Sequence, residues 1–360
     1  MVRTGLVGFG LGGRVFHAPL LSSVEDVELA AVVERSTNDA AERYPGIVTY
    51  RTLEAMLEDA TLDLIVVSTP NHTHYEIAKQ VIAAGKNLVV DKPMATTSGQ
   101  IAELISLAQQ KGVLLLPFHN RRWDSDFQTV QSLVREKALG RLVYFQSRMD
   151  RWHPALPTTR LWKESAEDGG KLLDLGTHLA DQALFLFGPP EAVSADIVRE
   201  RDTAREEHNA NDSFTLRLRY AGLQVVLGSN SLTLPPGPRF LLRGTKGNYL
   251  KSGVDPQEAA LSRIARIEDT NWGQEPPTEW GTLFLDEGGS QITHPIAPLA
   301  GNYRRYYEGV RDALQKNAPT PVRAIDAWRV ARLLEWATQS ALERREIVCA
   351  WNEEAEIDSH

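Results

Sequence analysis

The sequence predicts an α/β protein of two domains: an N-terminal doubly wound parallel sheet over residues 1–120 and a C-terminal α/β domain with a largely antiparallel open sheet over 121–360. Three observations carry this. The length of 360 residues exceeds what one hydrophobic core ordinarily serves. From residue 3 to about 118, short apolar runs alternate with helix-like stretches, the rhythm of β-α units covered on both faces. After Asn120 the rhythm changes to segments that alternate apolar and polar residues, as a sheet with one dry and one wet face requires.

Six apolar runs define the first sheet: Thr4 to Val7, Val27 to Val33, Ile47 to Tyr50, Leu62 to Val67, Asn87 to Val90 and Val113 to Leu116. Between them, Tyr75 to Ala84 shows the helical period, with Ile77, Ala78, Val81 and Ile82 on one stripe and Gly85 as a stop. In the second half, residues 142–150, 191–199 and 212–220 read as strands, and Ala221-Gly222 reads as a tight turn into Leu223 to Leu232. Helices are expected from about Leu172 to Phe187 and from Ala324 to Glu343. Pro235 to Pro238 and the Gly-, Pro- and Glu-rich stretch 273–290 read as loops. No repeat or flexible linker interrupts the chain, so the halves are expected to pack together around a cleft.

Composition excludes several function classes. A hydrophobic fraction of 42% and a charged fraction of 24% are those of a folding chain. The net charge of −8 opposes nucleic acid as a main partner. No apolar run approaches the roughly 20 residues of a membrane span. A single cysteine, Cys349, and a start without signal-peptide character point to a reducing, cytoplasmic setting.

The chemistry begins at the end of the first strand, in Gly8-Phe9-Gly10-Leu11-Gly12-Gly13, a G-x-G-x-x-G that opens a helix. In this pattern Gly8 permits the tight turn, Gly10 lets backbone approach a pyrophosphate and Gly13 lets helix and strand pack closely, while the helix N-terminus offers free N–H groups. Glu34 follows about 20 residues later at the end of the second strand, where a carboxylate accepts ribose hydroxyls and favours NAD over NADP. Arg35 and Ser36 beside it are instead of the type that holds a 2′-phosphate.

Two more loops fall where the ligand crevice of such a sheet lies: Ser68 to His74 after the fourth run and Asp91-Lys92-Pro93 after the fifth. His72-x-His74 lacks a third ligand at metal spacing, so no metal is expected. Lys92, set between Asp91 and Pro93, can stabilise negative charge developing on a substrate oxygen. Further on, Asp174, His178 and Asp181 fall at i, i+4 and i+7 of a helix, which fits an acid/base histidine oriented by a carboxylate and fits equally a satisfied surface histidine.

Taken in order, GFGLGG, S-T-P-N-H-T-H, D-K-P, the F-H-N-R-R-W-D run at 118–124, D-L-G-T-H-L-A-D and the helix from Ala324 resemble the Gfo/Idh/MocA oxidoreductases over nearly the whole chain. The last three of these, with Arg243 to Gly247 and Gly253 to Glu258, look like the subgroup containing NADP-dependent scyllo-inositol dehydrogenases. The resemblance implies a Rossmann domain that binds NAD or NADP, a C-terminal sheet that forms a homodimer or homotetramer, and hydride transfer to or from a sugar or cyclitol. It implies Lys92, Asp174 and His178 as the catalytic set, with Thr69, Asn71, His74 and Asp91 near the cofactor. The chain departs from the family at Asp91, where Glu is usual, at Lys171, where a third Gly is common, and at Glu34, where NADP-using relatives carry a small hydroxyl residue.

Oxidising a carbinol needs a base within hydrogen-bond reach of the hydroxyl and a stabiliser for alkoxide character. His178 is assigned as base, Asp174 as its orienter and Lys92 as the stabiliser. Arg121, Arg122, Trp123, Arg151, Arg160 and Trp162 are candidates for the sugar pocket, Arg as forked donor and Trp as flat wall. The alternatives on the same fold are a cofactor-binding regulatory protein, which would have lost the Lys, Asp and His together, and a glycosidase that uses NAD transiently.

Overall fold

A computed structural model describes residues 1–156, 169–202, 209–263, 267, 271–354 and 357. Six short strands form the first sheet: β1 (Val2–Val7), β2 (Val27–Val33), β3 (Val48–Tyr50), β4 (Leu64–Val67), β5 (Asn87–Val90) and β6 (Leu115–Pro117). All pair in parallel in the order β3-β2-β1-β4-β5-β6. Their Val, Leu and Ile runs are buried because helices cover both faces, which a parallel sheet joined by crossovers imposes. These helices are α1 (Ala18–Leu21), α2 (Asp39–Arg43), α3 (Leu53–Leu57), α4 (His74–Ala83) and α5 (Ser98–Lys111). Strand order reverses between β1 and β4, so the crevice opens at the carboxyl ends of those strands.

The second half carries the helices α6 (Ser125–Arg135), α7 (Thr177–Phe187), α8 (Gln257–Leu261), α9 (Arg304–Lys316) and α10 (Ala324–Glu343). Its strands are β7 (Leu142–Arg148), β8 (Ala192–Val198), β9 (Ser213–Tyr220), β10 (Leu223–Asn230), β11 (Phe240–Gly244), β12 (Gly247–Lys251), β13 (Gly281–Glu287), β14 (Ser290–Ile296) and β15 (Ile347–Val348). They form one nine-stranded sheet, order β14-β13-β12-β11-β7-β10-β9-β8-β15, antiparallel except where β7 meets β10. The turn expected at Ala221-Gly222 joins β9 to β10, with Gly222 at φ +73°.

Two expectations are corrected. The stretch 273–290 contains β13, which turns at Gly288-Gly289 into β14. Its composition reads as loop because it lies toward the sheet's edge, where few side chains are buried and even Pro295 is tolerated in the outermost strand. The helix expected from Leu172 begins instead as a π-helical turn, Leu172–Gly176, and becomes α-helical only at Thr177.

The boundary at residue 120 does not divide the packing. Tyr303, Tyr306 and Tyr307 of the 303–316 segment pack with Leu6, Val32 and Phe118 of the first sheet. Helix α10 serves both halves: Ile325, Ala327 and Trp328 close the core under α4 and α5, whereas Val330, Leu333, Leu334, Trp336 and Ala337 close that of the second sheet. Glu335 also accepts from Ser98 N and Oγ, both at 2.7 Å, tying α10 to the start of α5. Among the described residues no helix is long and apolar enough to cross a membrane.

Candidate active site

The glycine turn after β1 has the geometry its spacing predicts. Gly8 sits at φ +95°, a region that L side chains rarely enter. A Cβ on Gly13 would lie 2.1 Å from the Gly8 carbonyl, so the following helix rests directly on the turn, while a Cβ on Gly10 would meet nothing within 4 Å. Residues Gly12–His17 form a π-helical turn, in which Arg14 N donates back to Gly10 O at 2.9 Å. An open glycine cradle at the start of this helical segment suits a dinucleotide pyrophosphate.

Around this cradle the predicted residues divide. Glu34 is buried, and its carboxylate accepts from Thr37 Oγ1 at 2.8 Å and from Ala40 N at 3.1 Å, so it stabilises the start of α2. The sequence reading turns it toward a ribose; in the structure it also anchors the loop that opens α2. Arg51 holds the same loop through Glu34 O, Thr37 O and Asn38 Oδ1, leaving Arg35 and Ser36 exposed at the end of β2. Thr69 and Asn71 lie partly exposed at the end of β4. The buried His74 ring sits between Pro93 O, 2.7 Å from Nδ1, and Thr69 O, 2.8 Å from Nε2. Burial lowers its pKa, and a neutral ring donates to only one of the two carbonyls, so His74 clasps the β4 and β5 loops together.

Asp91 and Lys92 stand side by side after β5. Asp91 Oδ1 accepts from the Lys92 backbone N–H at 2.8 Å, and Oδ2 accepts from Ser68 Oγ at 3.3 Å. His17 Nε2 lies 3.4 Å from the same Oδ2, outside hydrogen-bond geometry, and its Nδ1 lies 2.6 Å from Tyr307 Oη. Burial would raise the Asp91 pKa, yet His17, His74 and Lys92 outweigh it and hold the carboxyl well below the usual range. A Cβ on Gly12 would fall 2.4 Å from Ser68 Oγ and 2.9 Å from Asp91 Oδ2, so the glycine turn, the β4 loop and Asp91 interlock.

Lys92 Nζ reaches across the cleft to Asp174, 2.9 Å from Oδ1, and also donates to the Asp174 carbonyl. The lysine is largely buried and the aspartate half exposed. His178 lies one turn further along, buried, with Nδ1 enclosed and without a hydrogen-bond partner among the described residues. Burial, followed by the nearby Lys92 and Arg121 cations, pushes its pKa well below the ordinary imidazole value. The expected Asp174–His178 hydrogen bond is therefore replaced by an Asp174–Lys92 pair. The π turn explains the change: it carries Asp174 off the i, i+4 alignment that a regular helix would impose.

The proposed pocket residues separate too. Arg122 is buried and forked onto Asp181, at 2.9 and 2.6 Å, with Asp326 3.2 Å away. It lines a separate groove of about 320 Å³ with Phe185 and Pro321, so its sequence-assigned place on the substrate is corrected to holding α7. Trp123 packs edge-on to Tyr306 and stays partly exposed. Arg151 is exposed and near enough to Glu258 to lower its pKa. Trp162 and Arg160 lie outside the described residues.

Sequence reasoning missed what supports the histidine. Gln182, one turn past His178, donates to Arg121 O at 2.8 Å and accepts from the buried Arg239 at 3.0 Å. Arg239 meets Asp126 at 3.1 Å, and Arg121 meets Asp124 at 3.3 Å. Asp255 accepts from Ser125 N and Gln257 N, both at 2.7 Å, and burial raises its pKa to about 6. Apart from Arg121–Asp124 and Asp255–Gln257, these pairs span 57 to 130 residues of sequence, and no local spacing signals them.

Known proteins match the chain along most of its length. Residues 2–119 match the NAD-binding Rossmann fold of the Gfo/Idh/MocA oxidoreductase family and residues 131–349 match its C-terminal alpha/beta domain. The scyllo-inositol 2-dehydrogenase (NADP(+)) of Bacillus subtilis is 34% identical over 348 residues, 96% of each chain. An inositol 2-dehydrogenase of Rhizobium meliloti is 30% identical, over 97% of this chain and 99% of its own. A crystal structure of a putative oxidoreductase from Bacteroides fragilis superposes with a TM-score of 0.88 at 39% identity, covering 97% of this chain and 99% of that one.

Proposed function

We propose, from the premise that this chain belongs to the Gfo/Idh/MocA oxidoreductase family, that it is a dehydrogenase moving a hydride between a nicotinamide and a secondary carbinol of a sugar or cyclitol. The observation that carries the reading is the Lys92–Asp174 pair, which joins the two halves beside a buried histidine kept neutral by its surroundings. NAD or NADP, when bound, supplies the hydride acceptor. The glycine turn would hold its pyrophosphate, and the β4 and β5 loops would border its nicotinamide end. His178, being neutral, can take the proton of the substrate hydroxyl. Lys92 donates to the same oxygen as negative charge develops, and Asp174 holds the lysine in place for that task. Reduction uses the same residues in reverse.

The same reading favours NADP. Each Glu34 carboxylate oxygen already accepts a bond within the protein, while Arg35 and Ser36 stand exposed where a 2′-phosphate would lie. Names of the relatives point to a cyclitol among the possible substrates. The wet face of the nine-stranded sheet is the surface on which two chains would meet.

The test is a panel of inositols, hexoses and their keto forms, each with NAD and NADP, followed by the absorbance of reduced nicotinamide. Turnover of at least one polyol is expected. No turnover by a protein that binds dinucleotide normally would overturn the reading in favour of a regulatory role. A Kd for NAD equal to or below that for NADP would overturn the cofactor choice alone.

A further inference from the structure

Helix α8 brings a carboxylate to the cleft that the proposed chemistry does not use. Glu258 projects from this helix, whose Leu261 packs into the same core as Val15 of the dinucleotide-binding turn. The helix is fixed from three directions. Asp255 caps its start and binds Ser125 N, Gln257 Oε1 accepts from Trp272 Nε1 at 2.9 Å, and the same oxygen accepts from Tyr303 N at 2.7 Å.

Glu258 Oε2 accepts from Arg121 Nη2 at 2.5 Å. That arginine is itself buried and braced by the fully buried Asp124, which accepts from Tyr303 Oη at 2.6 Å. The Glu258 side chain nevertheless remains 42% exposed, against 9% for its partner. One oxygen is thus locked and the other, Oε1, makes no hydrogen bond among the described residues. Its neighbours place it at the cleft: α8 packs on the Gly12–His17 turn, and Arg121, which holds Oε2, also accepts through its carbonyl from Gln182, one turn past His178. Burial works to raise its pKa, but Arg121 and Arg151 prevail and keep it ionised.

We infer that Glu258 accepts hydroxyl hydrogen bonds from the substrate through Oε1 and selects an uncharged polyol over its acidic or phosphorylated counterpart. A fixed, ionised acceptor suits ring hydroxyls, each of which brings a donor. A second carboxylate in addition to Asp174 places negative charge where an anionic substrate would sit, and such repulsion discriminates as effectively as attraction. The inference rests on the proposed dehydrogenase reading and adds the charge class of its substrate.

The experiment compares the NADP-loaded wild type with Glu258→Gln and Glu258→Asp, using myo-inositol against myo-inositol phosphate and glucose against glucuronate. In Glu258→Gln, KM for the neutral polyol should rise about tenfold to a hundredfold, as for loss of one charge-assisted hydrogen bond, with kcat changing far less. The ratio of kcat/KM for the anionic analogue to that for the neutral one should rise about tenfold or more, and Glu258→Asp should restore the wild-type ratio in part. NADPH affinity, read by fluorescence, should be the same in all three proteins, which shows that they fold. An active wild type with unchanged KM and unchanged ratio in Glu258→Gln overturns the Glu258 inference and leaves the dehydrogenase reading standing. A wild type that turns over nothing overturns that reading instead. Saturation-transfer NMR with myo-inositol and its phosphate then decides Glu258: contact with the neutral ligand lost in Glu258→Gln supports it, whereas equal contact, or none to either protein, overturns it.

Discussion

The two walls of the cleft are built on different principles. On the N-terminal wall, function comes from backbone: a positive-φ Gly8, a Gly13 that rests on the Gly8 carbonyl, and strand ends that deliver Asp91 and Lys92. On the C-terminal wall it comes from buried charge. His178 is placed by Arg122–Asp181 and by the Arg121–Gln182–Arg239 contacts, whose members are all nearly inaccessible to solvent. Backbone geometry tolerates little substitution but costs no desolvation. A charged scaffold must be complete, because removing one member strands its partner.

This contrast can be broken at either wall, and the largest effect is expected at the base itself. His178→Ala should lower kcat by about 10²–10⁴-fold, the usual worth of a positioned acid/base group, while NADPH binding measured by fluorescence stays intact. Unchanged turnover would remove His178 from the mechanism. Next is Arg122→Met, which leaves Asp181 charged and buried; denaturant unfolding should show a loss of about 3–5 kcal/mol, and the double variant Arg122→Met/Asp181→Leu should recover much of it. If the single variant is as stable as the wild type, the buried scaffold is not what holds α7.

On the opposite wall, Gly13→Ala puts a methyl group against a backbone carbonyl. A loss of about 1–3 kcal/mol by thermal unfolding, with weakened dinucleotide binding, is expected. The smallest effect is a displacement in pH. Because the pKa of His178 is lowered from 6.5, the neutral base persists as pH falls below that value, so the acid limb of kcat/KM for oxidation should lie below pH 6.5. A limb above 6.5 would mean that another group, or a charged His178, governs turnover.

The same contrast explains what the sequence made legible. The glycine turn, Lys92 and strands β2 and β5 were readable because local spacing and an apolar run suffice to define them. Helix α10 was readable to its end residues, since its apolar stripes serve two cores at once. Strands β11 to β14 escaped as strands although Phe240-Leu241-Leu242 and Leu283-Phe284-Leu285 are apolar runs, because the runs are short and flanked by Gly and Pro that read as loop. Asp174 and His178 were found, but their relation was misjudged, because a π turn cannot be seen in i, i+4 counting. Glu34 and Arg122 were recognised as notable charges. Their duties were not, because each depends on a partner that folding supplies: the N–H of Ala40 for one and a carboxylate 59 residues away for the other.

Helix α10 has a thermodynamic consequence as well. Since a single helix lends side chains to both cores, neither half keeps a complete interior when the other melts. The two halves should therefore unfold in one cooperative transition, with calorimetric and van't Hoff enthalpies in agreement. Trp328 and Trp336 on this helix both stack edge-on against Trp351, with centroids 6.2 and 4.7 Å apart, giving that joint its own near-ultraviolet circular dichroism reporter. Loss of that signal should coincide with loss of both sheets.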